Sequence, residues 1–448
     1  MHLLRRSPIT HWRPSVSMST GISGLVILGL APALAWALAT ENWLIVAFLG
    51  AIAVLPLVAT WPVVTTFGLY AFCASSIDVF PILPGGATLT KLVGLMAAAA
   101  LLGAGLVERR LVTPPRSALW WTAFFGWAAI SAVWALEPRL VVEWLPRALT
   151  FFALYLVSAS FKPSPKELFW VCVLTVLGGA LAGVLTYTLG FDPGATSNAA
   201  RARLTLGDME SNPNALGRML LLPLALAVAG FTELRGTARK AITAGCICLI
   251  SIGIYLCMSR AAIVAMFTML SVLLYRLRAS RYGIAAMVLL VLITLAMPST
   301  FYQRVGSVAS GEDSTGAGRT AIWATSLRAL SDFAVLGAGL NNFARVYEGY
   351  VGSAVAYKGA HNIYLLVLVE LGIVGLGLML IAITAHFRSA WRARGAGNDG
   401  IILIGAEAAC VGIVTTAFFG DTLWTKPFWL AWTILIWSTS NGLKRSHL

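Results

Sequence analysis

Histidine and arginine are the residues of this sequence best placed to do chemistry. Of five histidines, His2, His11, His386 and His447 fall in or beside basic stretches, whereas His361 stands apart, directly ahead of an apolar run. A helix starting there would set the positive end of its dipole beside the ring and disfavour the imidazolium. A neutral imidazole accepts a proton from an attacking hydroxyl, which is the work of a general base. The plainer alternative is an interfacial histidine that caps the helix it precedes. Four arginines extend the pattern. Arg201 and Arg203 precede the turn Asn212-Pro213-Asn214, Arg260 follows Ser259 at the head of an apolar run, and Arg319 follows Gly318 at the head of a helical stretch. A guanidinium stays charged and matches phosphate oxygens through a planar fork of donors. At the positive end of a helix, Arg260 carries an electrostatic cost that a nearby anion would relieve. Taken singly, each arginine suits a position facing lipid headgroups; converging on one mouth, they would handle phosphate.

Carboxylates offer less. There is no Asp-x-Asp pair, and the adjacent Glu312-Asp313 sits in a Gly/Ser-rich stretch where neighbours do not face one metal. No metal site and no cofactor are expected, and phosphate charge would be met by arginine. Glu370 and Glu407 lie inside apolar runs, where an ionisable group is costly and usually paired. Their role is open between joining helices and function.

The elements that must position these groups are membrane helices. Hydrophobic residues make up 58% of the chain and charged residues 11%, against about a quarter charged in soluble domains. A span needs about 20 apolar residues, and such runs lie near 21–39, 43–61, 63–81, 87–107, 117–135, 144–161, 168–190, 213–231, 240–257, 260–277, 282–299, 362–386, 400–419 and 427–441. The expected fold is an all-α polytopic membrane protein of about 12–14 transmembrane helices. The first run ends in Ala37-Leu38-Ala39, which imitates a signal cleavage site, but its length favours a retained span. The net charge of +14 does not indicate nucleic acid, because the basic residues gather at alternate joints. Arg109, Arg110, Arg116, Arg235, Arg239, Lys240, Arg276, Arg388, Arg392 and Arg394 mark one side as cytoplasmic, which puts 191–212 and 300–361 on the other. All six cysteines fall in apolar runs, as small hydrophobes do.

Residues 1–448 read as one integral domain with two connections long enough to build a site. In 191–212, Ser211 or Asn212 is placed to cap a helix with Pro213 in its first turn. In 300–361, Ile322, Trp323, Leu327 and Leu330 recur at helical spacing, as in a short amphipathic helix on the membrane surface. Gly337-Ala338-Gly339 then reads as a turn.

Several segments resemble the O-antigen ligase and polymerase superfamily. They are Ser259-Arg260-Ala261-Ala262, Gly318-Arg319-Thr320-Ala321-Ile322-Trp323, Leu336-Gly337-Ala338-Gly339, and His361-Asn362-Ile363-Tyr364-Leu365 leading to Glu370-Leu371-Gly372-Ile373-Val374-Gly375. The likeness in order and spacing covers about 191–386, and upstream Arg203 with Asn212-Pro213-Asn214 is similar to a loop arginine ahead of a helix start. The segment between them is longer than the family pattern, which leaves Arg201 and Arg203 as alternatives for that position.

The resemblance implies a multi-pass protein of the Gram-negative inner membrane with a periplasmic active site. It implies a metal-independent, inverting glycosyltransferase that moves O-antigen polysaccharide from undecaprenyl pyrophosphate to lipid A-core. His361 would activate the acceptor hydroxyl, while Arg203 or Arg201, with Arg260 and Arg319, would hold the pyrophosphate. Among the implied activities, ligase leads, ahead of O-antigen polymerase and protein O-oligosaccharyltransferase, which share these motifs. A transporter or flippase is the contrasting reading, with Glu370 and Glu407 as its sites; the absence of an internal repeat and the gathering of polar residues at one surface speak against it.

Overall fold

The computed structural model describes residues 60–76, 81–83, 87–190, 201–206, 209–277, 319–352, 359–398 and 400–440. Hydrocarbon cannot hydrogen-bond a backbone, so apolar segments close their N–H and C=O groups on themselves as helices. In chain order these are α1 (Val63–Ser76), α2 (Leu89–Val107), α3 (Arg116–Ile130), α4 (Pro138–Ala159), α5 (Pro165–Leu189), α6 (Pro213–Met219) and α7 (Leu221–Glu233). They continue with α8 (Thr237–Cys257), α9 (Arg260–Arg276), α10 (Arg319–Phe333), α11 (Phe343–Val351), α12 (Ile363–Gly395), α13 (Ile401–Thr416) and α14 (Lys426–Ser440). Two antiparallel hairpins, Pro81–Leu83 with Ala87–Thr88 and Thr205–Leu206 with Met209–Glu210, are the strands of the described residues.

Among the described residues, seven helices are long and apolar enough to cross a membrane, with α6 and α7 counted as one. The chain is an all-α, multi-pass membrane protein. The apolar runs at 21–39 and 282–299, and nearly all of 43–61, lie outside the described residues; each of the others contains a helix. The core is built by α7 and α9 packed on α13, by α5 between α1 and α8, and by α3 on α12.

Helix starts follow the expected side-chain chemistry. Asn212, not Ser211, caps α6: its Oδ1 accepts the Asn214 N–H at 2.8 Å, with Pro213 next. Ser211 instead accepts the Leu204 N–H at 2.8 Å. Ser259 caps α9 by accepting the Ala262 N–H at 3.3 Å.

The longest helix is interrupted. Gly372 in α12 has a positive φ of 66°, and the carbonyls released there are taken by the 337–339 turn: Ala338 N–H donates to Val369 O at 2.9 Å and Gly339 N–H to Glu370 O at 2.8 Å. Trp127 Nε1 donates to Leu371 O at 2.9 Å. The two backbones approach so closely that a methyl group on Gly337 or Gly372 would overlap the facing chain. The Glu370 carboxylate accepts the Phe343 N–H at 3.1 Å, at the first residue of α11. Glu407 takes Arg276 at 3.2 Å and, more closely, Arg394. Both intramembrane acids thus join helices, one on the interrupted turn and the other on a pair of arginines.

Two sequence expectations are corrected. His386, expected at a cytoplasmic helix end among basic residues, is buried within α12; its Nε2 accepts Trp121 Nε1–H at 3.2 Å and meets Tyr155 Oη at 3.0 Å. Trp432 stacks on its ring at 4.4 Å between centroids, so packing against aromatic neighbours outweighs the nearby charges in placing it. In α10 the buried stripe is Ile322, Thr325, Ser326 and Ala329, while Leu327 is exposed. The helix packs on α11 and α12 through this stripe of mostly small side chains.

Candidate functional site

Helix directions separate the bundle into two ends. One holds Arg276, Arg394 and Glu407; the other holds the starts of α6, α9 and α12 and the residues that follow α13. His361 is at this second end. Its backbone is left-handed (φ 50°), a conformation uncommon outside glycine. Asn362 is the cap of α12, accepting the N–H groups of Tyr364 at 3.0 Å and Leu365 at 3.2 Å. The capping role considered for His361 is therefore filled by its neighbour.

Four segments meet around that ring. Trp323 of α10 donates its Nε1–H to Ala360 O at 3.1 Å, fastening the stretch that carries His361 to the helix that begins with Arg319. Beside Gly359 lie Asp421 and His361: a methyl group there would stand 3.5 Å from Asp421 Oδ2 and 3.9 Å from His361 Nε2. The carboxylate and the imidazole therefore share one wall. Asp421 follows Gly420, whose missing side chain makes the space taken by the Arg218 guanidinium. Burial pushes the Asp421 carboxyl above its ordinary range, while the charges of His361, Arg218 and Arg319 pull it back. Its buried Oδ1 has no hydrogen-bond partner among the described residues.

The other expected arginines gather on the neighbouring side of α6. Arg201 donates Nε–H to Cys257 O at 3.1 Å and Nη2–H to Asn214 Oδ1 at 2.7 Å. Ser259 Oγ donates to the same Asn214 Oδ1 at 2.9 Å, and Arg260 is the next residue, half-buried at the first position of α9. Arg203, also half-buried, is held by its backbone N–H on Gly190 O at 2.8 Å. Asn214 and Arg218 are one helical turn apart on α6. This short helix links the group of Arg201, Asn214 and Ser259 to the group of Arg218, Asp421, Arg319 and His361. The structure thus brings His361 and Arg319 to bear on one carboxyl, that of Asp421, and it sets Arg201, Arg203 and Arg260 at the same end, around the starts of α6 and α9.

Two residues of this cluster escape a reading by motif. Arg218 lies inside the 213–231 run, and the available signal was the cost of a cation there. Asp421 is one acid among many in the connections between apolar runs. Only its folding against Gly359 distinguishes it.

Residues 244–380 match the family model described as O-Antigen ligase. Over this stretch the chain is similar to the O-antigen ligase family. The matched segment carries Arg260, Arg319, His361 and the interlock of Gly337 with Gly372. Arg201, Arg203, Arg218 and Asp421 come from outside it and are brought to it by the fold. No match to the chain is found among curated proteins.

Proposed function

We propose that this protein is an O-antigen ligase, transferring polysaccharide from undecaprenyl pyrophosphate to lipid A-core at the periplasmic face of the inner membrane. The observation that carries the reading is the meeting of one imidazole, one carboxylate and two guanidiniums from four separate segments, three of those groups acting on buried Asp421. His361 takes the proton of the acceptor hydroxyl as its oxygen attacks the anomeric carbon from the face opposite the leaving group. Asp421, on the same wall, stabilises the imidazolium that results, as a carboxylate beside a catalytic histidine does. The bond from the anomeric carbon to the pyrophosphate oxygen breaks, and configuration inverts. The negative charge left on the pyrophosphate meets Arg319 and Arg218, with Arg260 and Arg203 at the approach. Fixed positive groups aimed at developing charge are a large catalytic term in a water-poor site. Arg201 has a supporting part, because Cys257 and Asn214 already engage its fork.

Glu370 and Glu407, on which a transport reading rests, are engaged in joining helices. That favours transfer over transport. The test is deletion of the gene in the native host followed by a gel of its lipopolysaccharide. Loss of every long band with accumulation of lipid-linked polymer is expected. A shift to single capped units would assign the polymerase reaction instead, and altered glycoproteins with unchanged lipopolysaccharide the protein-directed one.

Arginine serves here in the place of a divalent cation. Among the described residues no three His, Cys, Asp or Glu side chains cluster to hold a metal. Purified enzyme should keep its transfer rate in excess chelator, measured with lipid-linked donor and core acceptor; a strict divalent-ion requirement would contradict the arginine mechanism.

A further inference from the structure

At the basic end of the bundle, away from the proposed catalytic cluster, α3 and α12 enclose a lipid-facing groove of about 1070 Å³. That is the upper end of the range of ligand pockets, about 300–1,000 Å³. Its wall is apolar, with Leu119, Trp120 and Ile381 all exposed toward the space a bilayer would fill. Its mouth is lined by Arg116 from α3 and by Arg388 and Arg392 from α12.

These three cations differ from their neighbours at the same end. Arg110 pairs with Glu108 and Glu167, and Arg276 and Arg394 share Glu407. Arg116, Arg388 and Arg392 make no ion pair and no side-chain hydrogen bond among the described residues. Arg388 and Arg392 are one turn apart, a spacing at which like charges repel. Arg116 adds its charge at the positive end of the α3 dipole. Three uncompensated guanidiniums over an apolar slot match a molecule with an anionic head and hydrocarbon tails.

We propose that the groove between α3 and α12 is a binding site for an anionic phospholipid. The phosphodiester head would lie among Arg116, Arg388 and Arg392, and an acyl chain would run along Leu119, Trp120 and Ile381. Basic clusters beside spans at this depth attract anionic headgroups, and the positive-inside bias makes the leaflet the cytoplasmic one.

The full-length protein, extracted in mild detergent with equal phosphatidylglycerol and phosphatidylethanolamine, should retain phosphatidylglycerol in native mass spectra by about tenfold over its zwitterionic competitor. The triple variant R116Q/R388Q/R392Q should fall to parity, while R235Q/R239Q/K240Q, which neutralises basic residues at another joint, should keep the preference. Ala123 lines the same groove, and A123W should lower retention with every arginine in place. Equal retention of both lipids by the unaltered protein would overturn the proposal, as would an unchanged preference in the first triple variant or in A123W.

Discussion

The variant H361A should lose transfer altogether in a lipopolysaccharide gel and retain the yield and thermal transition of the unaltered protein. The effect is large because removal of a positioned base costs about 10²–10⁴ in rate, and among the described residues no other imidazole stands in the cluster to serve the acceptor hydroxyl. Asp421 does not substitute, since Arg218 and Arg319 remain beside it in the variant and weaken it as a proton acceptor. The fold should tolerate the change: Asn362 supplies the cap of α12, and His361 is partly exposed. The left-handed backbone at 361 (φ 50°) adds a second check. H361N, which accepts that conformation readily, should be as inactive as alanine. Full activity in either variant would remove His361 from the chemistry and return it to a structural role.

The variant R319K should fall by about a hundredfold in kcat, with a smaller change in KM. A lysine keeps the charge but replaces a planar fork with a point donor on a flexible stem, and losing one preorganised donor to a developing anion costs about 10²–10³. The split between kcat and KM matters, because a clamp that acts on the departing pyrophosphate strengthens in the transition state. Arg319 begins α10, whose Trp323 holds Ala360; circular dichroism and thermal unfolding of R319K should therefore match the unaltered protein. Unaltered turnover in R319K would show that only charge is needed there, and an equal rise in KM alone would make Arg319 a ground-state anchor.

Much of the architecture was legible before any coordinates. Membrane helices announce themselves because length and hydropathy alone satisfy the two demands of a bilayer, thickness and internal hydrogen bonding. The Asn212-Pro213 start of α6 and the glycine turn at 337–339 were equally readable, since each depends on neighbours within a few residues. His361 and Arg319 stood out for a related reason: polar groups at the ends of apolar runs are few.

What the sequence determined by itself is the kind of protein this is, most of its helices, and the residue types suited to base and phosphate chemistry. The tertiary structure decided which of those residues meet. Arg218 sits in the middle of an apolar run and Asp421 among many loop acids, 203 residues away (421 minus 218), yet they share a buried wall with His361. It likewise decided that Glu370 and Glu407 join helices and that Arg201 fastens a loop. Local rules act over one or two helical turns, whereas a shared cavity depends on how several helices pack. That packing sums many weak contacts between segments far apart in the chain, and no single stretch of sequence records it.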